Sequence, residues 1–128
     1  MATLNMEGPY SLDENTVNEK IPRISAGNYA LGYVKDGVFF IKYVGSSETD
    51  VNFRLKNHIG KYKSFKFSFA ESARASFEKE CQNFHDFGME KKLDNSTHPE
   101  RPQDTSWKCP ACQIYGEADA AVEDLPTE

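Results

Sequence analysis

Cys109-Pro110-Ala111-Cys112 is a pair of cysteines spaced by two residues, and it lies well downstream of Cys81 and His85, which are four residues apart in a segment of helical character. Four residues is about one helical turn, so Cys81 and His85 point the same way. Three sulfurs and one imidazole make a soft tetrahedral donor set that suits a zinc ion. That set uses every cysteine of the chain, whose odd count argues against a disulfide framework. It also dictates how the C-terminal part can fold. The pattern fails over 89–115, and the metal would clip the far end of this long excursion back onto the helix, as a loop of that length requires an anchor or a function. Four protein ligands close the coordination sphere, which marks a structural site. His98, in His98-Pro99, is the rival ligand; its other role would be a hydrogen bond in a turn. A redox role for Cys109 and Cys112 would need a βαβ setting, and none follows Cys112.

Upstream, two runs rich in aromatic and β-branched residues, Asn28 to Lys35 and Val38 to Val44, flank Asp36-Gly37. Asp-Gly between such runs signals a hairpin, because both central residues of the turn need positive φ. Period-two alternation places Tyr29, Leu31 and Tyr33 on one face of the first strand, and Phe39, Ile41 and Tyr43 on one face of the second. Thr49 or Asp50 can cap a helix that runs to about Ile59, with Val51, Leu55 and Ile59 as its buried stripe and Gly60 as its end. Arg54 and His58, four apart, share a neighbouring face. Ser64 to Ala70 alternates strictly and reads as a third, half-buried strand. Ser72 can cap a second helix to about Phe87, with Phe77, Cys81 and Phe84 buried and Gly88 as the stop. The expected fold is α+β: a three-stranded antiparallel sheet flanked by helices, with an irregular C-terminal segment stapled by zinc.

Residues 1–20 and 116–128 show little periodicity and are expected to be disordered acidic segments around one domain, 21–115. The formal charge of −5 is concentrated in those ends. Residues 1–20 hold four acids and one base, and 116–128 hold five acids and no base, which leaves eleven acids against fourteen bases, about +3, over 21–115. Asn52 to Phe69 carries Arg54, Lys56, Lys61, Lys63 and Lys66 and no acid. Lys56, Lys61, Lys63 and Lys66 are therefore candidate phosphate-backbone contacts, against the plainer reading of a solvated surface. No run of about 18 apolar residues exists to span a membrane, and the N-terminal stretch lacks the basic start and apolar core of a secretory leader. A cytoplasmic location is the expectation.

The ordered set Gly27-Asn28-Tyr29, Tyr43-Val44-Gly45, Arg54 with His58, and a helical Glu resembles the GIY-YIG nuclease family over about residues 21–88. The sequence departs from that pattern in the Asn at the middle of the first motif and in having only Asn95 where an Asn-Pro segment is expected. The segment from Leu93 through His98-Pro99 to Trp107-Lys108-Cys109 looks like a zinc-bearing branch of excinuclease-like members. The resemblance implies phosphodiester hydrolysis assisted by one divalent metal. Tyr29 would activate or position the attacking water, Tyr43 would orient the phosphate, and Arg54 would neutralise charge on the phosphoryl oxygens. His58 would be a proton-transfer partner, and Glu80 would hold magnesium or manganese.

These residue types suit that chemistry. Arg offers planar donors to equatorial oxygens, and a carboxylate holds a hard cation that polarises the phosphate. A tyrosine titrates near pH ~10, so a nearby cation must depress it before it can act as a base. Two alternatives stay open. Tyr33 shares the face of Tyr29, and Glu78 competes with Glu80. At 100° per residue Glu80 lies roughly 60–70° from the centre of the buried stripe and Glu78 roughly 90–100° away on the other side, which favours Glu80. The leading expectation is an endonuclease acting on structured or damaged DNA, or on DNA supplied by a partner protein. The alternatives are a non-catalytic nucleic-acid-binding module of the same fold and a zinc-stabilised protein-interaction domain.

Overall fold

A computed structural model describes residues 3–102 and 105–115. In chain order the elements are β1 (Glu7–Ser11), α1 (Glu14–Lys20), β2 (Gly27–Lys35), β3 (Val38–Ser47), α2 (Val51–Lys56), β4 (Ser64–Phe69), α3 (Ala73–Asp86) and α4 (Met89–Lys92). The strands form one antiparallel sheet in the order β1-β4-β2-β3. The chain is α+β as expected, but with four strands instead of three.

The added strand comes from the segment expected to be disordered. β1 pairs with β4 and so covers an edge that would otherwise be unpaired. Asp13 caps α1 by accepting from the Thr16 amide at 2.8 Å. Val17 and Ile21 are buried against the sheet, beside Leu12. Residues 7–20 are therefore part of the folded unit, and the boundary expected near Ile21 is corrected. The expected acidic tail, 116–128, lies outside the described residues.

The hairpin forms as read: Asp36 and Gly37 have φ of 55° and 78°. β3, however, carries a bulge that the alternation did not reveal. Leu31 pairs with Tyr43, but the next residue, Gly32, pairs with Ile41, which leaves Lys42 over. Tyr43 consequently packs with Tyr29 and Leu31 on one face, while Phe39 and Ile41 pack on the other. The expected common face of all three is corrected. At the bulge a Cβ on Gly32 would collide with the Phe40 carbonyl oxygen, so only glycine fits.

Each sheet face has its own core. On one, Tyr29, Leu31, Phe65 and Phe67 are buried under Val17 and Ile21 near α1 and under Val51 and Leu55 of α2. On the other, Ala30 and Val44 pack against Phe84 of α3, Leu93 and Leu4. Asn28 ties the central strand to α3 by donating to the Ser76 carbonyl at 2.8 Å. Asp50, not Thr49, caps α2 through the Phe53 amide at 3.2 Å. α2 ends at Lys56, one turn earlier than expected, so His58 stands in the turn after the helix, with its amide bonded to the Leu55 carbonyl. α3 matches its expected bounds: Ser72 caps it, and Phe77, Cys81 and Phe84 are buried.

Beyond α4 the chain is irregular but anchored. The Asn95 side chain accepts from the Val44 amide at 3.0 Å and donates to the Val44 carbonyl at 2.8 Å, as a neighbouring strand would. Asn95→Ala would leave both backbone groups buried without partners. It is expected to lower unfolding free energy by roughly 2–4 kcal/mol, measured by urea denaturation. A loss below about 0.5 kcal/mol would contradict this role.

Candidate functional site

Tyr29 is the residue around which the site is built. It sits in the central strand opposite Gly45, and a Cβ at Gly45 would come within 2.4 Å of the Tyr29 ring. The glycine thus lets the ring lie flat across β3. One rung away, the Tyr43 ring lies parallel to it with centroids 6.5 Å apart. The turn after α2 brings His58 over both rings, and the Tyr29 hydroxyl lies 3.0 Å from His58 Nε2.

Tyr29 and Tyr43, together with Arg54 and Glu80, line one polar cavity of about 510 Å³. Glu80 enters from α3, on the side opposite α2, and accepts a 2.5 Å hydrogen bond from the Ser46 hydroxyl. Glu48 and Glu100 also line the cavity; sequence reasoning singled out neither. Glu100 has no periodic signal, because it arrives on the irregular segment. The two open alternatives separate cleanly. Glu78 pairs with Arg74 at 2.9 Å on the exposed side of α3. Tyr33 is exposed on the hairpin and does not line this cavity.

Burial sets the proton chemistry. It pushes the Tyr29 hydroxyl well above its ordinary value, assisted by Tyr43 and Glu80; Arg54 opposes this through its charge and a hydrogen bond. Tyr43 is raised for the same chief reason, with Glu80 adding and Arg54 opposing. Burial, then the positive charges of Lys61 and Arg54, holds His58 below its usual value. His58 is therefore neutral near pH 7, and its Nε2 can accept from Tyr29 in the tautomer protonated on Nδ1. Burial lifts the Glu80 carboxyl to about 7, against the opposing effects of Ser46 and Arg54.

The candidate backbone-binding lysines do not form one surface. Lys61 and Lys63 flank a shallow opening near Tyr62, on the side of the first core. Lys66 alternates to the opposite sheet face. There it approaches the Phe39 ring at 5.5 Å and lines a larger cavity of about 700 Å³ that holds none of the candidate catalytic groups. Lys56 lies in the last turn of α2.

A second constellation lies behind α3. His85, His98, Cys109 and Cys112 each place a donor atom within 4.8 Å of the others, a group that can hold a metal ion such as zinc. Cys81, expected as the fourth ligand, stands outside it, and His98 takes its place. The reason is the path of the chain. Cys81 faces inward, packed with Phe77 and Cys109, and burial pushes its thiol up. The segment carrying His98 crosses one turn later, against Phe84 and His85, with the two histidine rings 5.1 Å apart. The donors are arranged as ligands would be. His85 Nε2 is buried with no hydrogen-bond partner. His98 Nδ1 lies 2.9 Å from the Pro99 carbonyl, which leaves Nε2 facing Cys112 Sγ at 3.4 Å. Cys109 Sγ accepts from the Ala111 amide.

No protein-family model matches the chain, and no curated protein or solved structure shows significant similarity to it.

The tight approach of Tyr29 to Gly45 yields a direct expectation. Gly45→Ala should displace the ring, break its contact with His58 and admit water. The His58 titration, followed by NMR, is then expected to rise toward its ordinary value. An unchanged titration would show that the ring does not depend on this glycine.

Proposed function

We propose that the protein is a metal-dependent endonuclease of the GIY-YIG kind that hydrolyses phosphodiester bonds in DNA. The observation that carries this reading is the convergence of Tyr29, Tyr43, Arg54 and Glu80 on one cavity, with His58 bonded to Tyr29. These residues come from β2, β3, α2, α3 and the turn after α2, and packing alone gives no reason for so polar a group to meet.

In this reading Arg54 donates to the non-bridging phosphoryl oxygens and stabilises the charge that builds on them. Tyr43 orients the phosphate. The raised Tyr29 hydroxyl is a poor standing base, but it can relay a proton: it takes one from the attacking water while passing its own to neutral His58. Glu80 would hold a hard cation such as magnesium or manganese, and Glu48 and Glu100 line the same cavity. Such an ion, when bound, would polarise the phosphate and stabilise the leaving alkoxide. Zinc in the cluster of His85, His98, Cys109 and Cys112 would be structural, because four protein ligands leave no open position.

Cleavage is tested on a supercoiled plasmid and on branched or flapped oligonucleotides with magnesium or manganese. Glu80→Gln is expected to abolish activity and weaken manganese binding while leaving the fold intact. Arg54→Ala should lower the rate about 10²–10³-fold, and Lys56→Ala should affect binding alone. Manganese binding should also weaken as pH falls through about 7, where the Glu80 carboxyl gains its proton. Undiminished cleavage in Glu80→Gln would defeat the assignment. Failure of the wild type to cut any substrate would favour the non-catalytic DNA-binding module.

The metal cluster makes a separate prediction. Protein purified without added metal should carry one zinc per chain. His98→Ala and Cys109→Ser should lose the zinc and much stability, because structural zinc contributes directly to folding. Cys81→Ala should keep it. Zinc lost in Cys81→Ala and kept in His98→Ala would restore the set expected from the sequence.

A further inference from the structure

The antiparallel register arranges the face that carries Tyr29 into successive rungs. Gly45, Tyr29 and Phe67 form one rung, and Tyr43, Leu31 and Phe65 the next. Helices α1 and α2 and their flanking segments cover both. The following rung is open. Phe40 pairs with Tyr33, and the Lys63 amide bonds to the Gly32 carbonyl, which places Lys63 beside Tyr33. Tyr33 and Phe40 are 41% and 42% exposed, yet their rings are stacked, 5.3 Å apart and 19° from parallel. Neither ring belongs to an apolar core cluster among the described residues. Lys35, two residues beyond Tyr33, is on the same face and exposed.

We propose that Phe40, Tyr33 and Lys63 form a base-stacking platform for an unpaired stretch of DNA, one rung away from the cavity of Tyr29 and Tyr43. The choice of DNA rests on the nuclease reading of that cavity. Exposed aromatic faces accept any base, and adjacent lysines neutralise the backbone of the same strand. A blunt duplex keeps its bases stacked inside and offers the rings nothing to take. The platform therefore selects junctions, flaps or single strands, and it holds the strand beside the cavity on the shared sheet face. Charge decides against an apolar protein partner. Lys35 and Lys63 lie on the face of the rings, and Asp36 at the turn is the only acid in the chain from residue 20 to 47.

Binding is measured apart from cleavage, without magnesium or manganese, by fluorescence anisotropy of the full chain. The probes are a 12-nucleotide oligothymidine, the same strand with abasic sites, and a blunt duplex. The wild type is expected to prefer oligothymidine. The double variant Tyr33→Thr/Phe40→Thr keeps residues that favour strands but removes both rings. It should bind oligothymidine about tenfold or more weakly, with little change on duplex. Abasic sites should weaken wild-type binding similarly, with no change to the protein. Lys63→Gln should reduce the salt dependence of log affinity by about one unit. Unchanged oligothymidine binding in the double variant, equal losses on duplex and single strand, or indifference to abasic sites would overturn the proposal. So would a wild-type dimer, seen by sedimentation, that the double variant abolishes. Ring-dependent single-strand binding without cleavage would leave the platform standing and remove the nuclease. Cleavage with ring-independent binding would do the reverse.

Discussion

The bulge at Lys42 is the constraint from which the site follows. Side chains alternate along a strand with period two, so one extra residue reverses the facing of everything beyond it. Without that residue, Tyr43 would lie with Phe39 and Ile41 under α3, and Tyr29 would lose the ring that stacks beside it from β3. With it, β3 serves both cores: Phe39 and Ile41 pack one way, Tyr43 the other. Gly32 makes the bulge sterically possible, and Gly45 lets the Tyr29 ring settle beside Tyr43. Two glycines and one unpaired residue thus set the geometry that brings the two tyrosines and His58 together.

What could be read in the sequence was whatever rests on local periodicity or on one residue's own chemistry. Asp36-Gly37 announced its turn, Ser72 its helix start, and the Phe65–Phe67 alternation its strand. The parts that stayed hidden depend on partners distant in the chain. β1 has only Tyr10 turned inward and gains its strand character from the open edge of β4. The bulge leaves one mark, Gly32 inside the first strand run, which does not say where on the partner strand the extra residue falls. For the metal cluster, the helical spacing of Cys81 and His85 fixed their common direction but not which of them the returning segment would reach. His98 was visible as a rival ligand, and its selection over Cys81 is a matter of where that segment crosses α3.

Electrostatics in the cavity reverse a simple expectation about Tyr29. A tyrosine expected to serve as a base should be depressed by cations, and Arg54 does act in that direction. Burial outweighs it, because the ring that must lie flat over Gly45 is by that placement removed from water. The same burial lowers His58 and raises Glu80. All three shifts favour neutral groups in the absence of a bound charge. Arg54 stays charged throughout, and a cation at Glu80 would supply the counter-charge that favours its ionised form.

The metal cluster and the cavity are two sides of one wall. α3 presents Glu80 to the cavity, the neighbouring Cys81 to the core between them, and His85 to the metal group. The segment that supplies His98 has first fastened Asn95 to Val44, next to Gly45, and it then delivers Glu100 to the cavity two residues after the ligand. The C-terminal excursion is therefore fixed at one end to the strand beneath the tyrosines and at the other to the helix behind Glu80. Glu80 is held by a capped helix packed on the sheet, whereas Glu100 has no secondary structure to hold it and depends on these two fastenings. An ion held by His85, His98, Cys109 and Cys112 would in this way set the position of one wall of the cavity without touching the groups that line it.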